Sequence, residues 1–238
     1  MLARPGGMQG RRGLMGAGAV TGPEIGAVSC EGRASGMPRV SGAILAGGRS
    51  TRMGTNKALL EVGGIRLIDG AVATLRAIFP EVLLVANDPE PYAALGLPIV
   101  ADLIPGKGSL GGLYTAVTAA SHPWAFCLAC DMPFANRRLI QHLAVLAEGF
   151  DVVVPRTAEG VQPLHAVYGK TCLPAMRRQI EADRLKIDRL YESLRVRYVD
   201  EAEMRPLDPD LRSFWNLNTR EEWAMAQAQA AARRAACP

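Results

Sequence analysis

The chain has 238 residues, of which 49% are apolar and 21% are charged, and its formal net charge is +4 at pH 7. This length allows one substantial domain with a single core, and the composition is ordinary for a soluble globular protein. The mild positive charge suits anionic small molecules, but it excludes the dense basic surface of a nucleic-acid-binding protein. Five cysteines without paired spacing argue against a disulfide framework and favour a reducing compartment. No segment reaches the ~20 apolar residues of a membrane span, so we expect no membrane partner.

Residues 1–37 differ in composition from the rest of the chain, because they hold 10 of the 25 glycines and no aromatic residue. They show no periodicity, so we interpret them as a disordered tail, or as the product of a start codon assigned too early. In the second interpretation Met37 is the true first residue. The folded domain is predicted over residues 38–238.

Two short features of this tail are similar to export signals. An Arg11-Arg12 pair precedes an apolar run, and Ser29-Cys30 has the form of a lipoprotein cleavage site. Pro23 and Glu24 interrupt the apolar run, so we favour a cytoplasmic location over export.

The segment after residue 39 combines a strand with a glycine-rich basic loop. The apolar run Val40–Leu45 predicts a buried strand. Gly47 and Gly48 then allow backbone N–H groups to approach an anion closely. Basic side chains add further donors to the same loop: Arg49, Arg52 and Lys57. The spacing matches neither a P-loop nor a G-x-G-x-x-G turn, but the loop is suited to hold phosphates.

Helices and strands alternate in the next part of the chain. Apolar residues at helical spacing over 65–78 predict a helix, and strands are predicted at 82–86 and 99–101. This alternation indicates a parallel sheet with crossover helices, in which ligands lie beyond the carboxyl ends of the strands. Asn87 and Asp102 follow the two strands directly, so both are expected at that edge.

A second glycine-rich turn spans residues 105–113 and opens another helix. Its Lys107 is either a phosphate contact or an exposed loop residue. The next apolar strand covers residues 124–130 and ends on Asp131. Asp131 could cap the helix that is predicted to start near Asn136. We favour a metal role instead, because a carboxylate beside a polyphosphate suits Mg²⁺.

The C-terminal half continues the α/β pattern and ends in an alanine-rich helix. Thr219 and Glu222 have the spacing of a capping box at the start of that helix. His165 has no cysteine or histidine at ligand spacing, so we interpret it as a packed or partly exposed strand residue. The predicted helices are 136–147, 175–182 and 187–194, and the predicted strands are 151–155, 162–168 and 195–199.

Three motifs together resemble those of the nucleotidyltransferase family that includes molybdenum cofactor guanylyltransferase. They are the loop L-A-G-G-x-S-x-R-M-G-x-x-K-A-L-L, the sequence C-D-x-P around Asp131, and N-x-N-T-x-E-E around Asn218. The resemblance covers about residues 38–230. It implies a three-layer, Rossmann-like nucleotidyltransferase fold of the α/β class, with a mostly parallel sheet and one antiparallel strand near residues 164–168.

The resemblance also implies roles for particular residues. Nucleotide contacts are expected from Leu45, Ala46, Gly47, Gly48, Lys57, Asn87, Asp102 and Asp131. Lys57 and Arg52 would hold the triphosphate, and Asp131, helped by Asp102, would bind Mg²⁺. On the acceptor side, the expected contacts are Gln162, Asn216 and Asn218.

The implied reaction is transfer of GMP from GTP to a molybdopterin-type molybdenum cofactor, with release of pyrophosphate. A molybdoenzyme or its chaperone is a further candidate partner. Two residues depart from the family pattern: Asn56 stands where aspartate is frequent, and Ser109 where proline is usual. The alternatives are a cytidylyltransferase acting on molybdopterin, a sugar-phosphate nucleotidyltransferase, or a nucleotide-binding regulator without turnover.

Overall fold

The computed structural model describes residues 39–47 and 56–235. The predicted tail at 1–37 and three predicted phosphate contacts lie outside these residues: Gly48, Arg49 and Arg52. Among the described helices, none combines the length and the apolar character needed to cross a membrane.

The described chain contains ten strands. They are β1 (Val40–Leu45), β2 (Glu61–Val62), β3 (Ile65–Arg66), β4 (Val82–Val85), β5 (Ile99–Val100), β6 (Trp124–Ala129), β7 (Val152–Thr157), β8 (Gly160–Val161), β9 (His165–Gly169) and β10 (Val196–Asp200). β2 and β3 form a small hairpin, and the other eight strands form one sheet.

The main sheet has the strand order β10-β7-β9-β6-β1-β4-β5, with β8 paired to β7. β1 pairs in parallel with both β4 and β6, and β10 pairs in parallel with β7. β9 is antiparallel to both of its neighbours, β6 and β7. The predicted mostly parallel sheet with an antiparallel strand near residues 164–168 is therefore confirmed.

Six α-helices accompany the strands. They are α1 (Leu67–Arg76), α2 (Gly108–Ala119), α3 (Arg137–Val145), α4 (Leu173–Glu181), α5 (Glu201–Met204) and α6 (Arg220–Ala235). Short 3₁₀ helices occur at Lys57–Leu59, Glu90–Leu95, Lys170–Cys172, Ile187–Ser193 and Arg212–Phe214.

The core has two halves, one on each face of the sheet. Successive β1 residues point to opposite faces, so Ile44 packs with α1 and α3, while Ala43 and Leu45 pack with α2 and α4. Each face buries aliphatic side chains, which explains why the central strands read as continuous apolar runs. The result is the three-layer α/β architecture that the sequence predicts.

Two polar clusters fasten the amino-terminal edge of the sheet, opposite the expected ligand edge. In one, Asp151 accepts hydrogen bonds from the Arg195 guanidinium at 2.9 Å and from Thr171 at 2.7 Å. The pKa of Asp151 is held well below its usual range, chiefly by the hydrogen bond from Arg195. In the other cluster, Glu81 accepts hydrogen bonds from the Ser41 and Ser121 hydroxyls. Neither cluster was predicted from the sequence.

One predicted strand starts later than expected. β9 begins at His165, whereas the sequence pattern extends the strand back to Gln162. Pro163 has no N–H to donate to a neighbouring strand, so the chain turns there instead. Gln162 therefore lies between β8 and β9 rather than inside a strand.

Candidate active site

Lys57 lies at the carboxyl edge of the sheet, in the 3₁₀ helix that follows the glycine-rich loop. Asn56 caps this helix, because its Oδ1 atom accepts a hydrogen bond of 3.1 Å from the N–H of Ala58. The buried Ala58 anchors the helix in the core, and the Lys57 side chain extends from it. Its Nζ atom donates a hydrogen bond of 3.0 Å to Oδ1 of Asn218.

Asn218 is held by the cap of α6. Glu222 accepts hydrogen bonds from the N–H groups of Asn218 at 2.6 Å and Thr219 at 2.8 Å, while the Thr219 hydroxyl accepts one from the N–H of Glu222. The capping box predicted from the sequence is therefore confirmed. The hydrogen bond from Asn218 is the main cause of a lowered pKa for Glu222. The cap fixes the backbone from which the Asn218 side chain reaches Lys57.

Asp131 lies two residues beyond the end of β6, and its carbonyl oxygen accepts a hydrogen bond of 3.0 Å from the N–H of Leu217. Burial raises the pKa of its carboxyl, while the positive charge of Lys57 opposes that rise. The charge on Lys57 is thus close enough to stabilise the ionised form of Asp131.

The helix-cap alternative for Asp131 finds no support in the cap of α3. Asn136 supplies that cap, because its Oδ1 accepts hydrogen bonds from the N–H groups of Arg138 at 2.9 Å and Leu139 at 3.3 Å. The Asp131 side chain is therefore available for another role. A partly desolvated carboxylate with no capping function is typical of a functional site.

Asn87 and Asp102 form a closed pair at the same edge of the sheet. Each lies two residues beyond the end of its strand, β4 or β5. The Asn87 amide donates to Oδ2 of Asp102 at 2.8 Å, and its Oδ1 accepts from the Asp102 N–H at 2.8 Å. The next residue, Leu103, donates its N–H to the buried Thr115 hydroxyl at 3.0 Å. The pair is therefore anchored to α2.

The first residues of the glycine-rich loop that follows β1 lie between Asp131 and the pair of Asn87 and Asp102. Leu45 ends β1 in a buried position, Ala46 is half-buried and Gly47 is exposed. The N–H of Ala46 donates to Val85 at 3.0 Å, which extends the pairing of β1 and β4. A Cβ atom placed on Gly47 would meet no described atom within 4 Å. Among the described residues, none therefore blocks a side chain at position 47.

The predicted acceptor residues are not all together. Asn216 and Asn218 flank the buried Leu217, next to the edge-to-face contact between Trp215 and Phe134. Gln162 donates its backbone N–H to Pro155 at 2.9 Å and its side-chain amide to Thr157 at 3.4 Å. Among the described residues, no hydrogen bond joins Gln162 to Lys57, Asp131 or Asn218.

Lys107 makes an ion pair that the sequence did not predict. Its Nζ atom lies 2.9 Å from Oδ1 of Asp183, which is 76 residues further along the chain. Asp183 has a left-handed backbone with φ of 55°. The ion pair connects the second glycine-rich turn to the residue that follows α4.

Sequence reasoning also missed Tyr92. Its hydroxyl hydrogen-bonds the side-chain amide of Asn56, from a position 36 residues away in the 3₁₀ helix Glu90–Leu95. No local pattern connects two residues at that separation. A tyrosine in a short segment after a strand gives no sign that its hydroxyl faces the lysine-bearing loop.

The described residues suit a metal that is held mostly by its substrate. They contain no group of three or more His, Cys, Asp and Glu side chains arranged to hold a metal ion. Mg²⁺ is commonly bound through one or two carboxylates, with phosphate oxygens and water as the other ligands. Asp131, partly desolvated beside Lys57, matches that kind of site.

A glycine-rich loop, a lysine and strand-end carboxylates at one edge of an α/β sheet define a nucleotidyltransferase type of site. The family model of the MobA-like NTP transferase domain matches residues 42–198 of this chain. The chain therefore belongs to the MobA-like NTP transferase family.

Named relatives agree with this assignment. The chain is 40% identical over 200 residues to the molybdenum cofactor guanylyltransferase of Desulfosudis oleivorans, a match that covers 83% of this chain and 99% of the relative. Its fold is similar to that of molybdopterin-guanine dinucleotide biosynthesis protein A from Archaeoglobus fulgidus, with a TM-score of 0.72 and 26% identity. That match covers 81% of this chain and 99% of the archaeal one.

A more distant structure shares the fold alone. It is 2-C-methyl-D-erythritol 4-phosphate cytidylyltransferase from Thermus thermophilus, with a TM-score of 0.56 and 22% identity. The match covers 81% of this chain and 99% of the cytidylyltransferase. The fold by itself therefore does not select the base of the nucleotide.

Proposed function

We propose that the protein transfers GMP from GTP to molybdopterin-type molybdenum cofactor and releases pyrophosphate. The observation that carries this proposal is the hydrogen bond between Lys57 and Asn218, beside Asp131, because it joins the three motifs of the family in one site. The name of the 40% identical relative supports the choice of guanine nucleotide and molybdenum cofactor.

The donor side of the site would bind the triphosphate. Gly47 and Gly48 offer backbone N–H groups, and Arg52 and Lys57 offer positive side chains. Asn87 and Asp102, fixed to each other by two hydrogen bonds, would contact the nucleotide further along the same edge. These groups orient the α-phosphorus and neutralise charge, which are the main contributions of a protein to phosphoryl-type transfer.

Mg²⁺ is the proposed metal, and Asp131 would hold it, helped by the charge of Asp102, which lies further along the same edge beyond β1 and β4. When bound, the metal would polarise the α-phosphate and screen the leaving pyrophosphate. The positive charge of Lys57 opposes the rise in pKa that burial causes at Asp131, and so favours the charged form that binds a metal.

On the acceptor side, Asn216, Asn218 and Gln162 would orient the pterin. Its terminal phosphate oxygen attacks the α-phosphorus of GTP, a new P–O bond forms, and the bond to the β-phosphate oxygen breaks. A phosphate is already ionised at neutral pH, so the step needs no general base from the chain. The reaction would take place in the cytoplasm, where GTP is available, and a molybdoenzyme or its chaperone would receive the product.

Turnover with labelled substrate tests the proposal. Purified protein is incubated with [α-³²P]GTP, molybdopterin and Mg²⁺, and both label in the pterin product and pyrophosphate are measured. We expect the two to appear in equal amounts, and to require all three components. Binding of GTP without label transfer would favour the regulator alternative. Transfer only from labelled CTP would favour the cytidylyltransferase alternative.

A further inference from the structure

Tyr92 is a buried tyrosine outside the three motifs that define the family. It lies in the 3₁₀ helix Glu90–Leu95, and only 2% of its surface is exposed. Arg76 fastens the end of this helix, because its guanidinium donates to the carbonyl oxygens of Leu95 at 3.0 Å and Gly96 at 2.9 Å. Tyr92 therefore lies on a helix that is anchored at its C-terminal end, and its ring belongs to the same core cluster as Ala58.

The hydroxyl of Tyr92 and the amide of Asn56 form a two-way hydrogen-bonded pair. The Asn56 Nδ2 atom donates to the hydroxyl at 2.9 Å, and the hydroxyl donates to Oδ1 of Asn56 at 3.2 Å. Burial raises the pKa of Tyr92, so the hydroxyl keeps its proton and can act as donor and acceptor at once. Both ends of the Asn56 amide therefore contact the tyrosine hydroxyl, and the N–H of Ala58 fixes which end is the oxygen.

The same Oδ1 atom of Asn56 caps the helix that bears Lys57. It accepts the N–H of Ala58 at 3.1 Å while it also accepts the tyrosine hydroxyl. The backbone oxygen of Lys57 accepts from the N–H of Leu60 at 3.0 Å, which closes the single turn. A turn this short has little stability of its own. Besides the burial of Ala58, the Asn56 side chain therefore orients this turn, and Tyr92 in turn holds that side chain.

We infer that Tyr92 is a positioning residue for Lys57, acting through Asn56. This inference rests on the proposed function of Lys57 as a phosphate ligand. Tyr92 itself contacts neither Lys57 nor Asp131 by a described hydrogen bond. Its hydroxyl holds the cap of the lysine turn and so links the segment after β4 to the loop after β1. Both segments carry proposed nucleotide contacts, Asn87 and Lys57.

The pair with Tyr92 also explains why position 56 carries asparagine rather than aspartate. A carboxylate at position 56 could accept from Ala58 and from the tyrosine, but it could not donate to the hydroxyl. Asparagine satisfies the hydroxyl as both donor and acceptor. In this chain the amide at position 56 is therefore matched to Tyr92 and is no sign of lost function.

The first test measures, without any ligand, how readily the hydrogen bond that caps the turn opens. Hydrogen exchange of the Ala58 amide is compared in wild type, Tyr92→Phe and Asn56→Ala. We expect both variants to exchange on the order of tenfold faster at Ala58, as for one lost hydrogen bond. The matched control is Tyr191→Phe, which removes another buried hydroxyl, bonded to Tyr168 at 2.9 Å. The control should leave Ala58 unchanged, and a wild-type rate in Tyr92→Phe would overturn the inference.

The second test asks whether the effect passes through Lys57. We expect Tyr92→Phe to lower kcat/KM for GTP about tenfold in the wild-type background and by less than about twofold in a Lys57→Ala background. An equal loss in both backgrounds would mean that Tyr92 acts on the site in general, and would overturn the inference. Tyr191→Phe should lower the melting temperature without changing kcat/KM.

Failure of the proposed function has a different signature. In that case the wild type transfers no GMP to molybdopterin, and the same double-variant comparison is made on the dissociation constant for GTP. If Tyr92→Phe weakens GTP binding in the wild-type background but not in the Lys57→Ala background, the positioning role is supported without the transfer reaction. Unchanged affinity would contradict it.

Discussion

The Nζ atom of Lys57 donates a 3.0 Å hydrogen bond to Oδ1 of Asn218, a residue 161 positions further along the chain. The neighbouring Leu217 donates its N–H to the carbonyl oxygen of Asp131 at 3.0 Å. The N-x-N-T motif therefore contacts both Lys57 and Asp131. A proposed donor-side residue, Lys57, and a proposed acceptor-side residue, Asn218, thus touch each other directly.

We expect Lys57→Ala to lower kcat/KM on the order of 10²-fold, because one electrostatic contact to the triphosphate is lost. The fold should survive, since Lys57 projects from a turn that Asn56 and Ala58 hold in place. Steady-state kinetics and a melting curve measure the two effects. The control is Arg177→Ala, which removes an exposed positive charge paired with Glu181 on α4. Near wild-type activity in Lys57→Ala would mean that the nucleotide binds elsewhere.

We expect Asp131→Asn to abolish Mg²⁺-dependent turnover and, at neutral pH, to keep or raise the melting temperature. Burial raises the pKa of Asp131, so the folded state bears the cost of the charged form above that pKa. The uncharged amide removes the cost. The gain should shrink as the pH falls toward about 4 and be lost below it, where the carboxyl is protonated in both states. A variant that is destabilised but active would instead assign Asp131 a structural role.

We expect Gly47→Ala to keep the fold and to shift the ratio of kcat/KM for GTP and CTP toward CTP. A Cβ at this position meets no described atom within 4 Å, so the substitution adds a methyl group without a clash with the described residues. That methyl group lies beside the loop backbone, where the larger purine is expected. An unchanged ratio would mean that the base does not approach Gly47.

The sequence predicted the architecture well because the signals for it are local. Runs such as Val40–Leu45 and Val82–Val85 are buried on both faces and bounded by turns. Lys57 and Asp131 were likewise proposed as site residues from short motifs in the sequence. The long-range contacts around the proposed site were not predicted. Tyr92 with Asn56 and Asp183 with Lys107 are long-range pairs, and only the packing of the whole sheet brings them together.

His165 illustrates the same limit. The sequence indicated a packed or partly exposed strand histidine, and it did not indicate that the burial is complete. The side chain is 0% exposed, lies edge-to-face against Phe126 and Phe214 with centroid distances of 5.2 Å, and has no described hydrogen-bond partner for either ring nitrogen. Burial lowers its pKa to about 3. The imidazole is therefore neutral at pH 7 and lies in apolar surroundings.

This burial predicts a specific acid sensitivity. Because the pKa of His165 is lower in the folded state, the unfolded state binds the proton first, and stability falls as the pH drops from about 6.5 toward 3. We expect the free energy of unfolding of wild type, relative to His165→Leu, to fall by up to about 1.4 kcal/mol per pH unit in this range. Urea denaturation at several pH values measures the difference. Parallel curves for the two proteins would contradict the assignment of a buried neutral histidine.

The central claim is transfer of a guanine nucleotide to molybdopterin, and a nucleotide panel with one acceptor tests it most directly. Wild-type kcat/KM is measured for GTP, CTP and ATP with the same molybdopterin preparation and Mg²⁺. Guanine offers a ring N–H and an exocyclic amine that backbone carbonyls can accept, and a site built for such groups rejects analogues that lack them by several orders of magnitude. We expect a clear preference for GTP over both CTP and ATP. A preference for CTP would contradict the guanylyltransferase assignment while leaving the fold and the proposed metal site in place.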